Sequence, residues 1–464
     1  MKKLYLLILA LIFAITPVFA GNDITILHTS DVHGRLQPIE YHRLKNVGGA
    51  ARQVYYYNQI RQNNRHTLIL DSGDIFQGSI YYQMYKGKLT AKLLKTALKY
   101  DAVALGNHEF DRGIKELKQL IKKSNTTFLS ANIEFTDYEM RKLVKPYLTK
   151  EIGGERILII GVTTPALSNL SCSDGITIYD PVSIVRKIIA ENKNKADAII
   201  VLSHCGYEID KQIARANPEI NIILGGHNHI LFTKPVPTNG VEIVNSGEFG
   251  VRVSKMIFST DKGITYFENT LMDKNINSDK TVEKQLKHVD KKLNKLKNTV
   301  LSKTNLVLIG EQTEIERQQT NLGRLVLKSM VEFQPYDIVC TNSGSIRINK
   351  NLTGKITLAD AIEILPFENK VVKGKIQGKY LEQILALGKT HGRKYLQVYS
   401  KIKKIEPEKY YTIVTNEYIS KGKDGYEPFR NIKDVIPIND SQKDAFIQFL
   451  RENPNITETT LKMY

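Results

Sequence analysis

Short apolar runs recur along the first half of the chain, and polar residues that can bind metal ions follow them. The clearest runs are residues 24–27, 68–70, 102–105, 199–202 and 222–224. Aliphatic side chains dominate these runs, as is typical of buried strands. Each run is too short for a helix and ends close to a glycine or a polar loop, so the pattern predicts strands.

Apolar residues at helical spacing lie between the strands and again in the last third of the chain. In the first half, residues 113–123 and 181–194 have this spacing. Strand, loop and helix thus alternate, which predicts an α/β fold with a central β-sandwich, flanking helices and polar residues on its loops. Beyond residue 300 we expect a second α/β unit, with helices over residues 322–331, 358–363 and 379–387.

A lysine-rich amphipathic stretch separates these two parts. Its apolar side chains recur at helical spacing, at Val282, Leu286, Val289, Leu293 and Leu296. We therefore predict four segments along the chain. They are a leader over residues 1–20, a first domain over 21–278, a connecting helix over 279–300 and a second, smaller domain over 301–464.

The leader has the features of a secretory signal peptide. Lys2 and Lys3 precede an apolar core over residues 4–15, and a small-residue cleavage site ends at Ala20. A membrane anchor is the alternative, but the apolar core is short for a bilayer span and Pro17 follows it. We expect a periplasmic or secreted protein without stable membrane insertion.

The chain is strongly basic, with a formal net charge of +18. Such a charge makes nucleic acid a candidate partner. Lysine and arginine are, however, spread along the chain rather than clustered, which indicates a solvated surface and predicts no specific nucleic-acid partner. A positive surface also attracts small anionic substrates.

Seven polar residues at or just after the strand ends carry ligand chemistry: Asp31, His33, Asp74, Asn107, His204, His227 and His229. Oxygen and imidazole donors without a thiolate suit Zn, Mn, Fe or Co, and they argue against a structural zinc site built on cysteine. Asp31 and His33 are two residues apart, as are His227 and His229, so in an extended segment each pair would point the same way and could bind one ion together. One such motif alone is usually a surface loop, and His204 alone could be a core histidine. Together, at successive strand ends, they predict a two-metal hydrolase.

The motifs around these residues resemble the calcineurin-like metallophosphoesterase signature. They are Asp31-Val-His33-Gly, Gly73-Asp74, Gly106-Asn107-His108-Glu109, His204 and Gly226-His227-x-His229. Longer strings are similar to those of the 5′-nucleotidase family, namely residues 71–78, 105–111, 320–323, 342–347, 365–367 and 423–426. Because the resemblance covers nearly the whole chain after the leader, the chain is identified as a member of this two-domain family, of the exported bacterial type.

The resemblance implies a fold, a metal pair and a catalytic dyad. The expected fold is a four-layer α/β/β/α metallophosphoesterase sandwich with a smaller α/β C-terminal domain. One ion would take Asp31, His33, Asp74 and His229, and the other Asp74, Asn107, His204 and His227. Such a pair activates water, and the resulting hydroxide attacks phosphorus. His108 and Asp111 resemble the family's dyad, which stabilises transition-state charge; alternatively, His108 only holds a phosphate or a water.

For substrate selection, the resemblance implicates the C-terminal domain. Phe367 and Tyr418 match two aromatic positions that enclose a base, and stacking of this kind accepts any base. Asp424 matches the ribose-binding carboxylate. The substrate loop is matched by Asn342, Gly344 and Arg347, and Arg347 would pair with phosphate.

The sequence departs from its relatives in this domain at three positions. Arg317 is the one arginine upstream of Asn321 in the region where relatives carry substrate-binding arginines, but its spacing differs. Glu368 stands where glycine is common and brings a negative charge near an anionic substrate. Tyr418 replaces phenylalanine, and Phe367 by itself could equally be a core residue.

These observations favour a 5′-nucleotidase that releases phosphate from nucleoside 5′-monophosphates. A 2′,3′-cyclic-nucleotide phosphodiesterase with 3′-nucleotidase activity and a UDP-sugar hydrolase are alternatives within the family. A thiosulfohydrolase of sulfur oxidation is a remoter one, because the matches at Tyr418 and Asp424 favour a nucleoside. A non-catalytic binding protein would not need the complete ligand set together with His108 and Asp111.

Overall fold

The computed structural model describes residues 23–463, except residues 193, 333, 391 and 393. The predicted leader, residues 1–20, lies outside the described residues. Among the described helices, none combines the length and the apolar character that a bilayer crossing requires.

Seventeen strands precede residue 280 in the described part of the chain, and they form two large sheets and two small ribbons. They are β1 (Ile24–Thr29), β2 (Ile39–Tyr41), β3 (Leu44–Val47), β4 (Thr67–Asp71), β5 (Ala102–Ala104), β6 (Phe128–Leu129), β7 (Ile133–Phe135), β8 (Val144–Lys145), β9 (Tyr147–Ile152), β10 (Glu155–Thr163), β11 (Ile176–Ile178), β12 (Ala198–His204), β13 (Ile222–Gly225), β14 (Val236–Thr238), β15 (Val241–Asn245), β16 (Arg252–Ser259) and β17 (Gly263–Leu271). One large sheet has the order β17-β16-β1-β4-β5-β6-β8, and the other has the order β14-β15-β13-β12-β10-β9.

Fifteen α-helices are described along the chain. They are α1 (Ala50–Asn63), α2 (Ile80–Tyr85), α3 (Lys88–Leu93), α4 (Gly113–Ser124), α5 (Tyr138–Leu143), α6 (Leu167–Leu170), α7 (Pro181–Asn192), α8 (Tyr207–Ala216), α9 (Lys280–Asn298), α10 (Gln312–Ile315), α11 (Asn321–Val331), α12 (Leu358–Ile364), α13 (Gly378–Leu387), α14 (Glu417–Ser420) and α15 (Gln442–Glu452). Every helix predicted from apolar spacing is present, with ends that differ by at most two residues.

The two large sheets pack face to face through the aliphatic side chains of their strands. Ile26 and Leu70 from one sheet and Ile200 and Leu224 from the other are fully buried in one apolar cluster. Helices α1, α4 and α9 pack on the outer face of the first sheet, and α7 and α8 pack on the outer face of the second. The predicted four-layer α/β/β/α sandwich is therefore confirmed.

The predicted connecting helix is α9, and it packs on the sandwich. Asp279 begins the helix by accepting a hydrogen bond from the Val282 N–H, as helix-capping aspartates do. Its apolar face is buried in the sandwich core. On the same helix, the Asp290 carboxylate accepts hydrogen bonds of 2.6 Å from both Gln37 and Tyr81. The exact domain boundaries stay a prediction.

The C-terminal part is a smaller α/β unit, as predicted. Its strands are β18 (Val300–Leu308), β19 (Ile338–Asn342), β20 (Leu352–Thr357), β21 (Val371–Gln377), β22 (Leu396–Ser400), β23 (Tyr410–Asn416), β24 (Lys433–Asn439) and β25 (Asn455–Ile456). Five of them form a sheet in the order β22-β19-β23-β21-β24, and three form a sheet in the order β20-β18-β25. Helices α11, α12, α13 and α15 cover these sheets with apolar residues.

Candidate metal centre and substrate cavity

The carboxyl ends of neighbouring parallel strands deliver the predicted ligands. In the first sheet, β1, β4 and β5 are parallel neighbours, and Asp31, His33, Asp74 and Asn107 follow their ends. In the second sheet, β12 and β13 are parallel neighbours; His204 ends the former, and the loop with both remaining histidines follows the latter. Because parallel strands end at one edge of a sheet, the five loops meet there.

The ligand side chains form two clusters. One contains Asp31, His33 and His229, and the other contains Asp74, His204 and His227; within each cluster the candidate ligand atoms lie within 4.8 Å of one another. Asp74 Oδ2 lies 3.1 Å from His204 Nε2 and 3.9 Å from His33 Nε2. A single carboxylate oxygen of Asp74 is thus close to both clusters.

The chemistry of these side chains fits divalent metal ions. The Asn107 side-chain oxygen is buried and has no hydrogen-bond donor among the described residues, an arrangement that is unfavourable unless a cation binds it. Burial by itself raises the pKa of Asp74, but positive charge on His204 and His108 brings that pKa well below its usual value. The Asp74 carboxylate is thus favoured in its ionised form, which is the form that binds a metal ion.

The backbone at the ligands differs from the sequence expectation. Asp31 and His33 do reach one cluster, but both have a φ of 51°, in the left-handed region, rather than an extended conformation. Asp74, His227 and His229 also have φ values between 57° and 77°. Residues other than glycine are uncommon in this region, although aspartate, asparagine and histidine adopt it more often than the rest, and such conformations cluster at functional sites. The alternation of side chains along a strand therefore does not explain why Asp31 and His33 share a cluster. The same expectation is wrong for His227 and His229, which lie in different clusters.

Glu109 joins two of the ligand loops. Its carboxylate accepts hydrogen bonds from the backbone N–H groups of Asp74 (2.8 Å), Ile75 (2.8 Å) and Gly106 (2.7 Å). Gly106 has no room for a side chain, because a Cβ there would lie 2.2 Å from Asp74 Oδ1. Sequence analysis quoted Glu109 within a motif but gave it no role.

Glu248 is a residue of the site that sequence analysis missed. Its carboxylate bonds to His229 Nδ1, which leaves His229 Nε2 facing the first cluster, 3.5 Å from Asp31 Oδ1. Burial would raise the pKa of Glu248, but the charge of His229 brings it below the usual value. Glu248 follows β15, which pairs in parallel with β13, so the strand-end rule that identified the other residues also applies to it.

The predicted dyad is present beside the second cluster. His108 Nδ1 lies 2.7 Å from Asp111 Oδ2. The backbone N–H of His108 donates a hydrogen bond of 2.8 Å to Asp74 Oδ1. Burial would lower the pKa of His108, but the charges of Asp111 and Asp74 raise it above the usual value. Among the described residues His108 Nε2 has no partner, so it is available to a ligand in the cavity that His108 lines.

A cavity of about 460 Å³ brings the dyad and the second domain together. Sites for small ligands commonly have volumes of a few hundred Å³. The cavity is lined from the sandwich by Asn107, His108 and Asp111, and from the C-terminal part by Asn342, Gly344, Arg347, Phe367, Tyr418 and Asp424. The structure thus gathers the dyad and all but one of the substrate residues that the sequence suggested.

The two aromatic residues are half-buried and line this cavity. The Phe367 ring stacks near the His108 imidazole, so Phe367 is not a core residue. The Tyr418 hydroxyl lies 3.0 Å from Asp424 Oδ1, and the Asn342 amide donates to Asp424 Oδ2 over 2.7 Å. Asp424, at a φ of 57°, is therefore held at the cavity wall by two neighbours.

Two of the sequence departures have structural outcomes. Arg317, in the turn after α10, is exposed and is not among the residues that line the cavity. Glu368 does line the cavity, but Lys443 forms an ion pair with it. The charge of Glu368 near an anionic ligand is thus offset by a neighbouring cation.

Comparisons with known proteins agree with this architecture. The family model for calcineurin-like phosphoesterases matches residues 24–231, and that for the 5′-nucleotidase C-terminal domain matches residues 300–431. A 5′-nucleotidase of Bos taurus is 33% identical over 427 residues, which cover 81% of this chain and 73% of the relative.

Solved structures agree as well. A 5′-nucleotidase precursor from Thermus thermophilus is 27% identical, with a TM-score of 0.85 over 94% of this chain and 97% of that one. The sulfate thiohydrolase SoxB of Thermus thermophilus has a TM-score of 0.74 over 95% of this chain and 96% of that one. Its sequence identity is only 14%, so this second likeness concerns the fold alone.

Proposed function

This chain belongs to the 5′-nucleotidase family of metal-dependent phosphoric monoester hydrolases, and on that premise we propose that it is an exported enzyme that releases phosphate from nucleoside 5′-monophosphates. One observation carries the proposal. A single cavity is lined both by the His108–Asp111 dyad and by Phe367, Tyr418 and Asp424. A nucleotide needs both, because its phosphate must reach the dyad while its base and ribose are recognised.

The proposal assigns two groups of ligands. Asp31, His33 and His229 would hold one divalent ion, and Asn107, His204 and His227 would hold the other, with Asp74 close enough to serve either. Zinc, manganese, cobalt and iron all suit this donor set. When bound, the two ions supply Lewis-acid activation of the phosphoryl group and of the attacking water.

The dyad acts next to this centre. Asp111 fixes the orientation of the His108 ring through Nδ1 and favours its protonated form. Protonated Nε2 then donates a hydrogen bond to a phosphoryl oxygen, whose negative charge grows in the transition state. Arg347 provides a second cation for the phosphate and reaches the centre from the C-terminal part; its charge acts on His33, His108 and Glu248.

Substrate selection is assigned to the C-terminal side of the cavity. Phe367 and Tyr418 stack on the base, Asp424 accepts hydrogen bonds from the ribose, and Asn342, Gly344 and Arg347 form the substrate loop. Arg317 is left out of this assignment because it is exposed. The domain division is proposed as predicted, with residues 21–278 and 301–464 joined by 279–300; the two matched family ranges and α9 support it.

A substrate panel on purified protein tests the proposal. After removal of metal with a chelator and reconstitution with each candidate ion, hydrolysis is measured for AMP, UMP, UDP-glucose, 2′,3′-cyclic AMP and bis-p-nitrophenyl phosphate. Chromatography follows the nucleotide and nucleoside products, and p-nitrophenol release follows the small ester. The 5′-monophosphates should have the highest kcat/KM. A higher kcat/KM for the cyclic nucleotide or for the UDP-sugar would instead indicate a 2′,3′-cyclic-nucleotide phosphodiesterase or a UDP-sugar hydrolase. Hydrolysis of the small ester alone would refute nucleotide specificity. N-terminal sequencing of the protein from the producing cells tests cleavage after Ala20.

A further inference from the structure

Residues 167–172, here called the α6 segment, connect the dyad with the C-terminal part of the chain. The Ser171 hydroxyl donates a hydrogen bond of 2.7 Å to Asp111 Oδ1. The other oxygen of the same carboxylate, Oδ2, bonds to His108 Nδ1. Ser171 is only 6% exposed, so water does not readily replace its hydroxyl.

The backbone of the same segment is bound from the other side of the cavity. Lys423 Nζ donates to the carbonyl oxygens of Ser168 and Ser171. The Tyr418 hydroxyl lies 3.1 Å and 3.0 Å from the carbonyl oxygens of Asn169 and Leu170. Lys423 thus binds two of the four successive carbonyls, while the single Tyr418 hydroxyl proton is shared between the other two and Asp424 Oδ1.

Those carbonyls need external partners for a general reason. The last four carbonyls of an α-helix have no acceptor role within the helix, and α6 has only four residues. Its conformation therefore depends on groups outside it more than a longer helix would. Lys423 and Tyr418 supply these groups, and Ser171 lies at the end of the segment that they hold.

We propose that Ser171 is a positioning residue for the His108–Asp111 dyad, and that Lys423 and Tyr418 of the C-terminal part hold it in place. Ser171 fixes the rotation of the Asp111 carboxylate, so that Oδ2 faces His108 Nδ1. The domain that selects the substrate thereby also orders the group that assists the reaction. This inference rests on the proposed role of the dyad, but it does not depend on which nucleotide is the substrate.

The first test is Ser171→Ala, assayed with AMP and with bis-p-nitrophenyl phosphate. Loss of a hydrogen bond to a charged group predicts a fall in kcat of about tenfold for both substrates. Ser171 lines the cavity beside the dyad but is not among the residues assigned to the metal ions, base or ribose, so the metal content should stay unchanged and the KM for AMP should change far less than kcat. Ser171→Thr, which keeps a hydroxyl, should restore most of the kcat. Ser278→Ala, in a partly buried serine of the same domain outside the cavity, is the matched control and should leave both constants unchanged.

A double-mutant cycle tests the coupling to the C-terminal part. Lys423→Met should lower kcat, and Ser171→Ala should add little to that loss, because both act through the same segment. Lys421→Met removes an equal charge from the same cavity wall, but Lys421 pairs with Glu417 rather than with the segment. Lys421→Met should change KM rather than kcat. In the double variant its effect should be independent of the effect of Ser171→Ala, so that the fold-changes multiply. Independent effects of Lys423→Met and Ser171→Ala would overturn the coupling.

The positioning role of Ser171 and the proposed nucleotidase function can fail independently, and different measurements detect each failure. If AMP is not hydrolysed but the small ester is, nucleotide specificity fails while Ser171 is still tested on the ester. A crystal structure of S171A needs no substrate at all, and Asp111 should turn away from His108 Nδ1 in it. An unchanged Asp111–His108 bond, an unchanged kcat, or a loss of metal in step with activity would each overturn the positioning role.

Discussion

The Phe367 ring lies over the His108 imidazole, with ring centroids 6.4 Å apart and ring planes inclined by 22°. Phe367 follows α12 in the C-terminal part, whereas His108 follows β5 in the sandwich. This contact means that the proposed base site and the catalytic centre adjoin each other. Because only Phe367 contacts His108, Phe367→Ala alone should affect kcat as well as KM, whereas Tyr418→Ala lacks this direct contact with the His108 ring.

The first prediction concerns substrate recognition. Phe367→Ala combined with Tyr418→Ala should raise the KM for AMP by about tenfold or more, since stacking contributes ~1–3 kcal/mol per base. Hydrolysis of bis-p-nitrophenyl phosphate should change far less, because the metal ligands are untouched. Tyr410→Ala, in a tyrosine of the same domain that is 42% exposed, is the control for loss of an aromatic ring. Equal losses on both substrates, with a lower melting temperature, would mean that the aromatics only stabilise the fold.

The second prediction concerns the metal centre. Asp74→Ala or His204→Ala should abolish hydrolysis and lower the bound metal measured by elemental analysis, because Asp74 Oδ2 is close to both clusters. His288→Ala, in an exposed histidine of α9, should keep both metal and activity. Full activity in a metal-depleted Asp74 variant would rule out the two-metal assignment.

His108 should behave differently from the ligands. His108→Asn should keep its metal and lose kcat by ~10²–10⁴-fold, the usual contribution of a group that assists proton transfer. Steady-state kinetics and elemental analysis on the same preparation separate the two effects. If the metal is lost together with the activity, His108 is a structural support of the centre.

Glu248 provides a prediction about metal affinity alone. Its carboxylate orients the His229 ring from the side away from the cluster, and loss of such a partner typically lowers metal affinity about 10–100-fold. Glu248→Gln should therefore release metal at lower chelator concentrations than the wild type. Glu268→Gln, in an exposed carboxylate, is the matched control. Equal metal retention in the two variants would remove Glu248 from the centre.

Asp210 predicts a pH dependence of stability. This α8 residue is fully buried beside Ser203, and burial raises its pKa from 3.8 to about 7. The pKa of Asp210 is higher in the folded state than in the unfolded state, so the protonated side chain favours folding. Its contribution to the unfolding free energy is complete below about pH 4 and is lost as the pH rises towards 7. Relative to Asp210→Asn, the wild type should therefore lose about 1.4 kcal/mol of unfolding free energy per pH unit in this window. Denaturant unfolding at two pH values measures it, with the exposed Asp261→Asn as control; a pH-independent difference would contradict the assignment.

Local patterns were enough to predict the strands and most of the site. Aliphatic runs such as residues 199–202 define buried strands without knowledge of the rest of the fold, and strand ends then locate ligands such as His204. The spacing of Asp31 and His33 suggested that they would act together, but the extended backbone assumed for them is absent, and the same spacing failed for His227 and His229. Left-handed conformations at aspartate and histidine arise from tertiary contacts, which local spacing does not record.

Contacts between residues far apart in the sequence could not be predicted from local patterns. Glu248 follows a strand end and so carries the same signal as the ligands, but its pairing with His229 is not indicated by spacing. Nothing in the sequence near Ser171 indicates that it meets Asp111, because that pair forms only when the loops assemble. Arg317 illustrates the opposite case: its charge and approximate position were suggestive, yet the turn that carries it lies outside the cavity. The stacking of Phe367 on His108 likewise depends on how the two parts of the chain pack together.

The absence of a side chain at Gly106 has a consequence for the evolution of this protein. Even a methyl group there would overlap the Asp74 carboxylate and the backbone nitrogen of the same residue, at 2.2 Å and 2.5 Å. A substitution at Gly106 would therefore displace Asp74, whereas a substitution on the cavity wall, for example at Glu368, would leave the metal ligands in place. Wall residues such as Glu368 can thus be exchanged without moving a metal ligand, whereas Tyr418 and Lys423, which bind the α6 segment, cannot be exchanged without affecting the dyad.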